Sequence, residues 1–279
     1  MKRVLRPAEA VRDVERRLAD AGVPDARTDA ELLVAQALGL TRSGVYVMAG
    51  VLDDASRERL EALVARRSRR EPLQHVLGEW GFRRLTLRVD RRALVPRAET
   101  EIVVERCLAL VAGVAEPRIL DVGVGSGAIA LALADEHAGA RVVGVDASTQ
   151  ALALARENAE RTGLSARVEL VHGDLFAELA GPFDVVVANP PYVEPDELPR
   201  LEPEVRDHDP REALVGPGTT EAITRGALDI LAPGGYVVLE AAGHQAANLA
   251  RLLQALGYGN VAVTRDLTGT PRVVEGASR

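Results

Sequence analysis

Four consecutive residues, Asn189-Pro190-Pro191-Tyr192, carry the most specific chemistry in this chain. An amide or ring-attached amine is a poor nucleophile, because its nitrogen lone pair is delocalised into the neighbouring π-system. A site that makes such a nitrogen react must localise that lone pair. The Asn189 side-chain carbonyl and the Pro190 backbone carbonyl offer two acceptors for the two donors of an NH2 group, which favours the pyramidal nitrogen of a transition state. Proline rings restrict the backbone and bias the preceding residue to extended geometry, so these acceptors are held before a substrate arrives. The Tyr192 ring can pack on a planar amide or base and align its nitrogen with an electrophile. Asn189, Pro190 and Tyr192 are therefore the candidate catalytic residues, and all four, Pro191 included, form the candidate substrate-binding motif. In isolation the tetrapeptide reads equally well as a rigid loop at a strand end. Its placement decides between the two.

Upstream stands Asp121-Val-Gly-Val-Gly-Ser-Gly127, followed by an apolar helical run over Ala128–Ala134. Glycine lets a backbone turn sharply and approach a ligand closely, because no Cβ intervenes. Gly123, Gly125 and Ala128 satisfy the dinucleotide fingerprint, so an NAD-dependent oxidoreductase is one reading. S-adenosylmethionine is the other. Asp121 sits two residues before the first glycine, where a carboxylate can act on the cationic methionine end of that cofactor, and Gly127 completes a D-x-G-x-G-x-G pattern. Asp146, about 20 residues beyond the glycines, can accept both ribose hydroxyls of either cofactor. Asp174 can accept the adenine amino hydrogens while Leu175 covers the ring; a turn with Asp174 capping a helix is the equal alternative. The candidate cofactor residues are thus Asp121, Gly123, Val124, Gly125, Ser126, Gly127, Asp146, Asp174 and Leu175. A nicotinamide enzyme gives no account of Asn189–Tyr192, and that tips the reading to S-adenosylmethionine, with S-adenosylhomocysteine as product.

These motifs need elements to position them. Apolar spacing predicts helices through Val11, Val14 and Leu18, through Leu32, Leu33 and Leu38, and through Leu60, Leu63 and Val64. Thr28 and Glu31 have the spacing of a capping box that starts the second of these. The alternation Leu85, Leu87, Val89 after Pro72 marks a hairpin, with Trp80 and Phe82 as its aromatic anchor. From Ile102 onward helices alternate with candidate strands at Arg118–Val122, Arg141–Asp146, Val168–His172, Phe183–Ala188, Tyr236–Ala241, Val261–Arg265 and Arg272–Glu275, the pattern of a doubly wound α/β sheet. The nearly all-apolar Asp184-Val-Val-Val-Ala188 fits a central parallel strand covered on both faces. The expected organisation is a helical domain over 1–75, a linker with the hairpin over 76–96, and a catalytic domain over 97–279. The Pro-rich stretch Pro195–Pro217 reads as a lid or a long surface loop.

Composition narrows the function classes. The net charge of −7 disfavours a general nucleic-acid binder, which works by neutralising phosphates. Residues 1–75 carry 14 Lys/Arg and 12 Asp/Glu, so an electropositive contact surface would lie there. Arg66, Arg67, Arg69 and Arg70 read as a solvated helix face. No run of about 18 apolar residues occurs, and the charged start at Met1, Lys2 and Arg3 is unlike a secretory leader, so no membrane association and a cytoplasmic location are expected. The assembly expected is a monomer. Cys107, the single cysteine, reads as core, and none of the five histidines has metal-ligand spacing. No metal is expected. Glu240, at the end of the fifth strand, reads as a buried carboxylate near the site or as a strand-end charge, and the latter is the expectation.

With these residues in hand, the chain resembles the HemK/PrmC family of release-factor glutamine N5-methyltransferases. The resemblance rests on Glu71-Pro-Leu-Gln-His-Val-Leu-Gly-Glu79, Leu94-Val-Pro-Arg-Ala-Glu-Thr-Glu101, Leu120–Leu131, Asn189–Tyr192 and Asp266-Leu-Thr-Gly269. It implies a seven-stranded, Rossmann-like class I S-adenosylmethionine-dependent methyltransferase domain behind a small N-terminal helical domain that docks the protein substrate. It also implies methyl transfer to the glutamine of the Gly-Gly-Gln tripeptide of peptide chain release factors. The family's cofactor loop falls on Gly123–Gly127, its ribose acid on Asp146, its adenine-side position on Leu175 and its substrate motif on Asn189–Tyr192, with Asn189 also bordering the cofactor. The chain departs from the family at Ala98, at Val124, at Glu240-Ala-Ala-Gly243 and over Ala213–Gly226. Rival readings are a ribosomal-protein glutamine methyltransferase, a DNA adenine methyltransferase that flips its base out of the duplex, and a non-catalytic docking module.

Overall fold

Residues three and four apart share one face of a helix, and in the first N-terminal helix that face is the buried one. The computed structural model describes residues 5–177 and 179–279; the charged residues Met1, Lys2 and Arg3 lie outside them. Helix α1 (Pro7–Asp20) turns Val11, Val14 and Leu18 inward and α2 (Ala26–Leu38) turns Leu33 and Val34. After the short α3 (Gly44–Val47), α4 (Asp54–Arg67) adds Leu60 and Val64, and α5 (Leu73–Leu77) ends the series. The second helix does not start at a Thr28–Glu31 capping box. It begins at Ala26 behind Asp25, leaving Thr28 inside the helix. Glu31 is drawn away from the backbone because Arg27, Arg42 and Tyr46 all bond its carboxylate.

One compact unit runs to Gly78 and takes in Leu201–His208, and the other comprises Glu79–Arg200 and Asp209–Arg279. In the second unit, β1 (Glu79–Phe82) and β2 (Leu85–Arg88) form an antiparallel hairpin that buries Phe82 and Leu87. Then follow α6 (Thr100–Leu110), β3 (Arg118–Val122), α7 (Ala128–Glu136), β4 (Arg141–Asp146), α8 (Thr149–Thr162), β5 (Val168–His172) and β6 (Phe183–Ala188). After α9 (Pro203–Arg206), which belongs to the first unit, the remaining elements of the second are α10 (Arg211–Leu214), α11 (Thr219–Ile230), β7 (Leu231–Glu240), α12 (Ala246–Ala255), β8 (Gly259–Arg265) and β9 (Pro271–Ala277). Their strand order is β5-β4-β3-β6-β7-β9-β8, parallel from β5 to β7, with β9 antiparallel to both neighbours. The strand β7 starts five residues before the expected Tyr236, because Leu231 still pairs with Phe183 across a register shift that the Pro233-Gly-Gly235 punctuation conceals.

Val185, Val186, Val187 and Ala188 are wholly buried, as a central strand covered on both faces requires. Chain progression moves outward from β3 to β5 and then reverses through β6 and β7, so the crevice at the carboxyl ends of β3 and β6 is the switch point where such sheets bind ligands. Cys107 is buried in the core, as expected. Among the described residues no helix is long and apolar enough to cross a membrane.

The arginines at the end of α4 correct the expectation of a solvated face. Arg67 is only 5% exposed, with Nε 2.6 Å from Asp29 and Nη1 2.7 Å from Glu204 of α9. Arg70 grips both oxygens of the same Glu204 at 2.6 and 2.7 Å, and Arg66 pairs with Glu71. Only Arg69 is exposed. The deciding carboxylate lies more than 130 residues away in sequence, beyond the reach of local charge spacing.

Candidate active site

At the carboxyl end of β3 the chain turns through Gly123, Gly125 and Gly127, whose φ values of 76°, 55° and 85° lie where side-chain-bearing residues are strained. The Gly123 and Val124 N–H groups both donate to the Val145 carbonyl at 2.8 and 3.0 Å, and Gly125 N–H donates to Asp146 Oδ2 at 2.9 Å. The loop is thereby fastened to the end of β4. Asp146 Oδ1 accepts from Ser148 N–H at 2.8 Å, and each oxygen keeps a further lone pair for a ribose hydroxyl. Beneath the loop, the fully buried Asn158 donates to the carbonyls of Ser126 (2.9 Å) and Arg88 (3.1 Å) and accepts from Arg88 N–H (2.7 Å), tying hairpin to loop. Sequence reasoning missed Asn158. Its one signal is an amide on the face of α8 that also buries Ala151, Leu154 and Ala155.

The register of the sheet places the substrate motif. Ala188 pairs with Leu239, so Asn189 and Glu240 leave adjacent strands side by side. Asn189 Nδ2 donates to Thr100 Oγ1 at 3.3 Å, and the Glu240 carboxylate lies close enough to the Thr100 hydroxyl and the Asn189 amide for both to favour its charged form. Glu240 is 2% exposed and its Oε2 has no partner, so it is not a strand-end charge in solvent. Burial pushes its pKa up from the ordinary carboxylate value. The strand-end reading fails because α6 and the 189–192 turn close over the end of β7, which periodicity within one strand does not report.

With Nδ2 committed to this cluster, Asn189 Oδ1 accepts no hydrogen bond among the described residues, and Asn189 lines a cavity of about 400 Å³. The Pro190 carbonyl likewise takes no N–H from the described chain. Pro190 itself is buried, while Pro191 stands between this cavity and an adjoining one of about 380 Å³. Tyr192 borders the adjoining cavity; Gln245 Nε2 holds its carbonyl at 3.0 Å, and burial, with Glu240 nearby, pushes its phenol up to about 12.

Val124, Gly125, Ser126, Asp146, Asp174 and Leu175 line the larger cavity with Gly123. Asp121 and Gly127 do not. Asp121 lies beneath the loop, 1% exposed, with Oδ2 accepting from Ala130 N–H at 3.1 Å, Oδ1 unpartnered, and burial pushing its carboxyl up to about 7. Asp174 caps no helix, since a turn follows it, and Leu175 takes φ 52°, a strained value for leucine at a cavity wall. Two further walls come from the 92–97 segment and from Pro210, Ala213 and Val215, so this part of the Pro195–Pro217 stretch lines the cavity. Arg97 bonds the enclosed Asp209 at 2.7 Å and holds these two walls together. The Asp266–Gly269 motif acts at a distance: Asp266 accepts from the N–H groups of Thr268 and Thr270 and anchors Arg272 at 2.9 Å, close enough for that guanidinium to act on Glu240. No group of His, Cys, Asp and Glu that could hold a metal occurs among the described residues.

The cavity suits S-adenosylmethionine. Its volume is that of small-molecule sites. Its lining brings together the Asp146 carboxylate, the apolar Leu175 beside the acid Asp174, and a glycine loop that leaves room for close backbone approach.

Known proteins place this geometry. Residues 9–78 match the model of the PrmC N-terminal domain and residues 100–201 that of the methyltransferase small domain. The chain is 42% identical to a release factor glutamine methyltransferase of Geobacter sulfurreducens, over 93% of this chain and 92% of that one. Identity is 40% to the protein of that name from Caulobacter vibrioides (93% and 92%), and 42% to that from Streptomyces coelicolor (94% of each). In fold, the 16S rRNA N2 G1207 methyltransferase of Thermus thermophilus, solved with AdoMet and guanosine, superposes with a TM-score of 0.53 at 20% identity, covering 72% of this chain and 50% of that one. On this relatedness, and on a seven-stranded sheet that carries the glycine loop and Asn189–Tyr192 at one crevice, the chain belongs to the release factor glutamine methyltransferase family.

Proposed function

We propose that the protein transfers a methyl group from S-adenosylmethionine to the side-chain amide nitrogen of the glutamine in the Gly-Gly-Gln motif of peptide chain release factors. One observation carries the reading: a chain of this family has an unengaged carbonyl acceptor on Asn189, which lines a cofactor-sized cavity, and next to it in sequence a Pro190 carbonyl that takes no N–H from the described chain. The Gly123–Gly127 loop and Asp146 hold the cofactor, with Asp174 and Leu175 at its adenine. When bound, S-adenosylmethionine supplies a methyl carbon made electrophilic by the sulfonium. Asn189 Oδ1 and Pro190 C=O each accept one N–H of the glutamine amide, drawing its lone pair out of conjugation. Because both acceptors are fixed beforehand, their reorganisation adds nothing to the barrier. Tyr192 covers the amide plane from the adjoining cavity. The methylated nitrogen is strongly acidic while it keeps its extra proton, so water can take that proton without a positioned base. Docking of the protein substrate falls to the helical unit, which leaves Tyr46, Val47 and Met48 exposed.

Intact-mass measurement of a release factor before and after incubation with the protein and S-adenosylmethionine tests the reading. The expected result is a gain of one methyl group, absent when the Gly-Gly-Gln glutamine is replaced by alanine. No gain, with methylation of a ribosomal protein or an adenine-containing duplex instead, reassigns the substrate.

A further inference from the structure

A buried carboxylate with an unpartnered oxygen destabilises a fold, so Glu240 calls for a task, and the two-acceptor reading gives it none. Its surroundings supply one. Thr100 Oγ1 receives Asn189 Nδ2 at 3.3 Å, and Glu240, set beside Asn189 by the strand register, lies close enough to the Thr100 hydroxyl to act on it, so the three groups can order as one chain from the Asn189 amide through Thr100 to Glu240. A side-chain amide is nearly symmetric in shape, and only its partners decide which end faces which way. Turned over, Asn189 would present an NH2 to the substrate's NH2, donor against donor, and the acceptor would be lost.

We infer that Glu240 and Thr100 are positioning residues that lock the Asn189 amide with its oxygen toward the substrate nitrogen. An ionised carboxylate can only accept. The Thr100 proton is therefore directed to Glu240, the Thr100 lone pair is left for Asn189, and only the Nδ2 end of Asn189 can satisfy it. Charge-assisted bonds hold this polarity more firmly than neutral ones. Three elements converge to build the device: the first residue of α6, the end of β6 and the end of β7. The inference rests on the proposed function, since it concerns an acceptor that the reaction needs.

The test is a variant series assayed for kcat and KM on a release factor, with S-adenosylmethionine affinity and melting temperature measured alongside. Glu240→Gln keeps the shape and removes the charge that sets the polarity; kcat is expected to fall about fivefold to tenfold, the gap between a charge-assisted and a neutral hydrogen bond. Cofactor affinity and KM stay within about threefold, because no contact to either ligand is removed. Thr100→Val, which breaks the chain at its middle, is expected to lower kcat at least as far, and Thr100→Ser to recover it, because the hydroxyl is restored. In an Asn189→Ala background, Glu240→Gln should change kcat by less than about twofold, since the group it orients is gone. A merely structural role predicts that the two effects multiply and that turnover follows melting temperature, and either result overturns the inference. Should Glu240→Gln fold poorly, the contrast between Thr100→Val and Thr100→Ser decides: equal kcat in these two overturns it as well. A wild-type protein that leaves the factor unmethylated overturns the proposed function and this inference with it. A wild type that methylates, with every variant equal to it, overturns this inference alone.

Discussion

Replacing Asn189 by alanine separates the two jobs that the crevice performs. In the proposed reaction the substitution deletes one of two acceptors for the substrate N–H groups and leaves the other, a main-chain carbonyl at Pro190, in place. Losing a single preorganised transition-state contact costs about 10²–10³ in turnover, or about 2.7–4 kcal/mol. Cofactor binding should hardly notice. The loop bonds from Gly123 and Val124 to Val145 and from Gly125 to Asp146 do not involve Asn189, so affinity for S-adenosylmethionine is expected to stay within about tenfold, or ~1.4 kcal/mol. Thr100 Oγ1 loses its donor at 3.3 Å, which lowers stability by about 1 kcal/mol. The assay is single-turnover methylation of a release factor at saturating cofactor, followed by intact mass, with calorimetric cofactor titration and a thermal melt on the same sample. Turnover within about threefold of wild type, in a folded protein that binds cofactor normally, would refute the claim that the Asn189 oxygen localises the lone pair.

Asp146→Ala removes the acceptor of Gly125 N–H together with the expected ribose contact, and S-adenosylmethionine affinity should drop by about 10- to 100-fold, read by calorimetry. Asp121 gives a pH signature. Its carboxyl ionises near 3.8 in the unfolded chain and near 7 in the buried site, so across that window the folded state keeps a proton the unfolded state has lost, and this group's contribution to stability declines as pH rises and levels off above about 7. Asp121→Asn should flatten that decline in melts of the cofactor-free protein between pH 4.5 and 8; an unchanged profile would place the titration elsewhere. Glu204 has the opposite sign: burial raises its pKa, but Arg70 and Arg67 outweigh this and hold it at about 2, so its stabilisation is complete above about 4.5 and is lost as pH falls through about 2. Glu204→Gln should cost about 1–2 kcal/mol at neutral pH, discounted for its partial exposure, and weaken the acid dependence below pH 4.5, as followed by circular dichroism.

Much of the sheet was legible because each central parallel strand is a short apolar run ended by glycine or a polar cluster. Arg118–Val122, Arg141–Asp146, Val168–His172 and Phe183–Ala188 coincide with β3 to β6. Motifs within one turn were legible for the same reason, since Gly123–Gly127 and Asn189–Tyr192 each carry their chemistry in consecutive residues. What stayed hidden depends on pairing between distant segments. Glu240 looks like a strand-end charge until the β6–β7 register sets it beside Asn189, and Thr100 looks like an ordinary helix start until α6 is laid across both strands. Arg67 follows the same logic with Glu204. Thr28 and Glu31 failed for a local reason: helix could begin three residues earlier, behind Asp25, and three partners competed for the glutamate.

The stretch Leu201–His208 folds with the helical unit although it is flanked on both sides by chain of the sheet unit, so the polypeptide crosses from one body to the other three times. A fragment ending at Gly78 would keep the five helices yet forfeit the anion that Arg67 and Arg70 share, stranding two guanidinium groups, one of them almost wholly enclosed. Swapping the front half of this protein for that of a relative therefore means transplanting eight residues from deep within the back half as well.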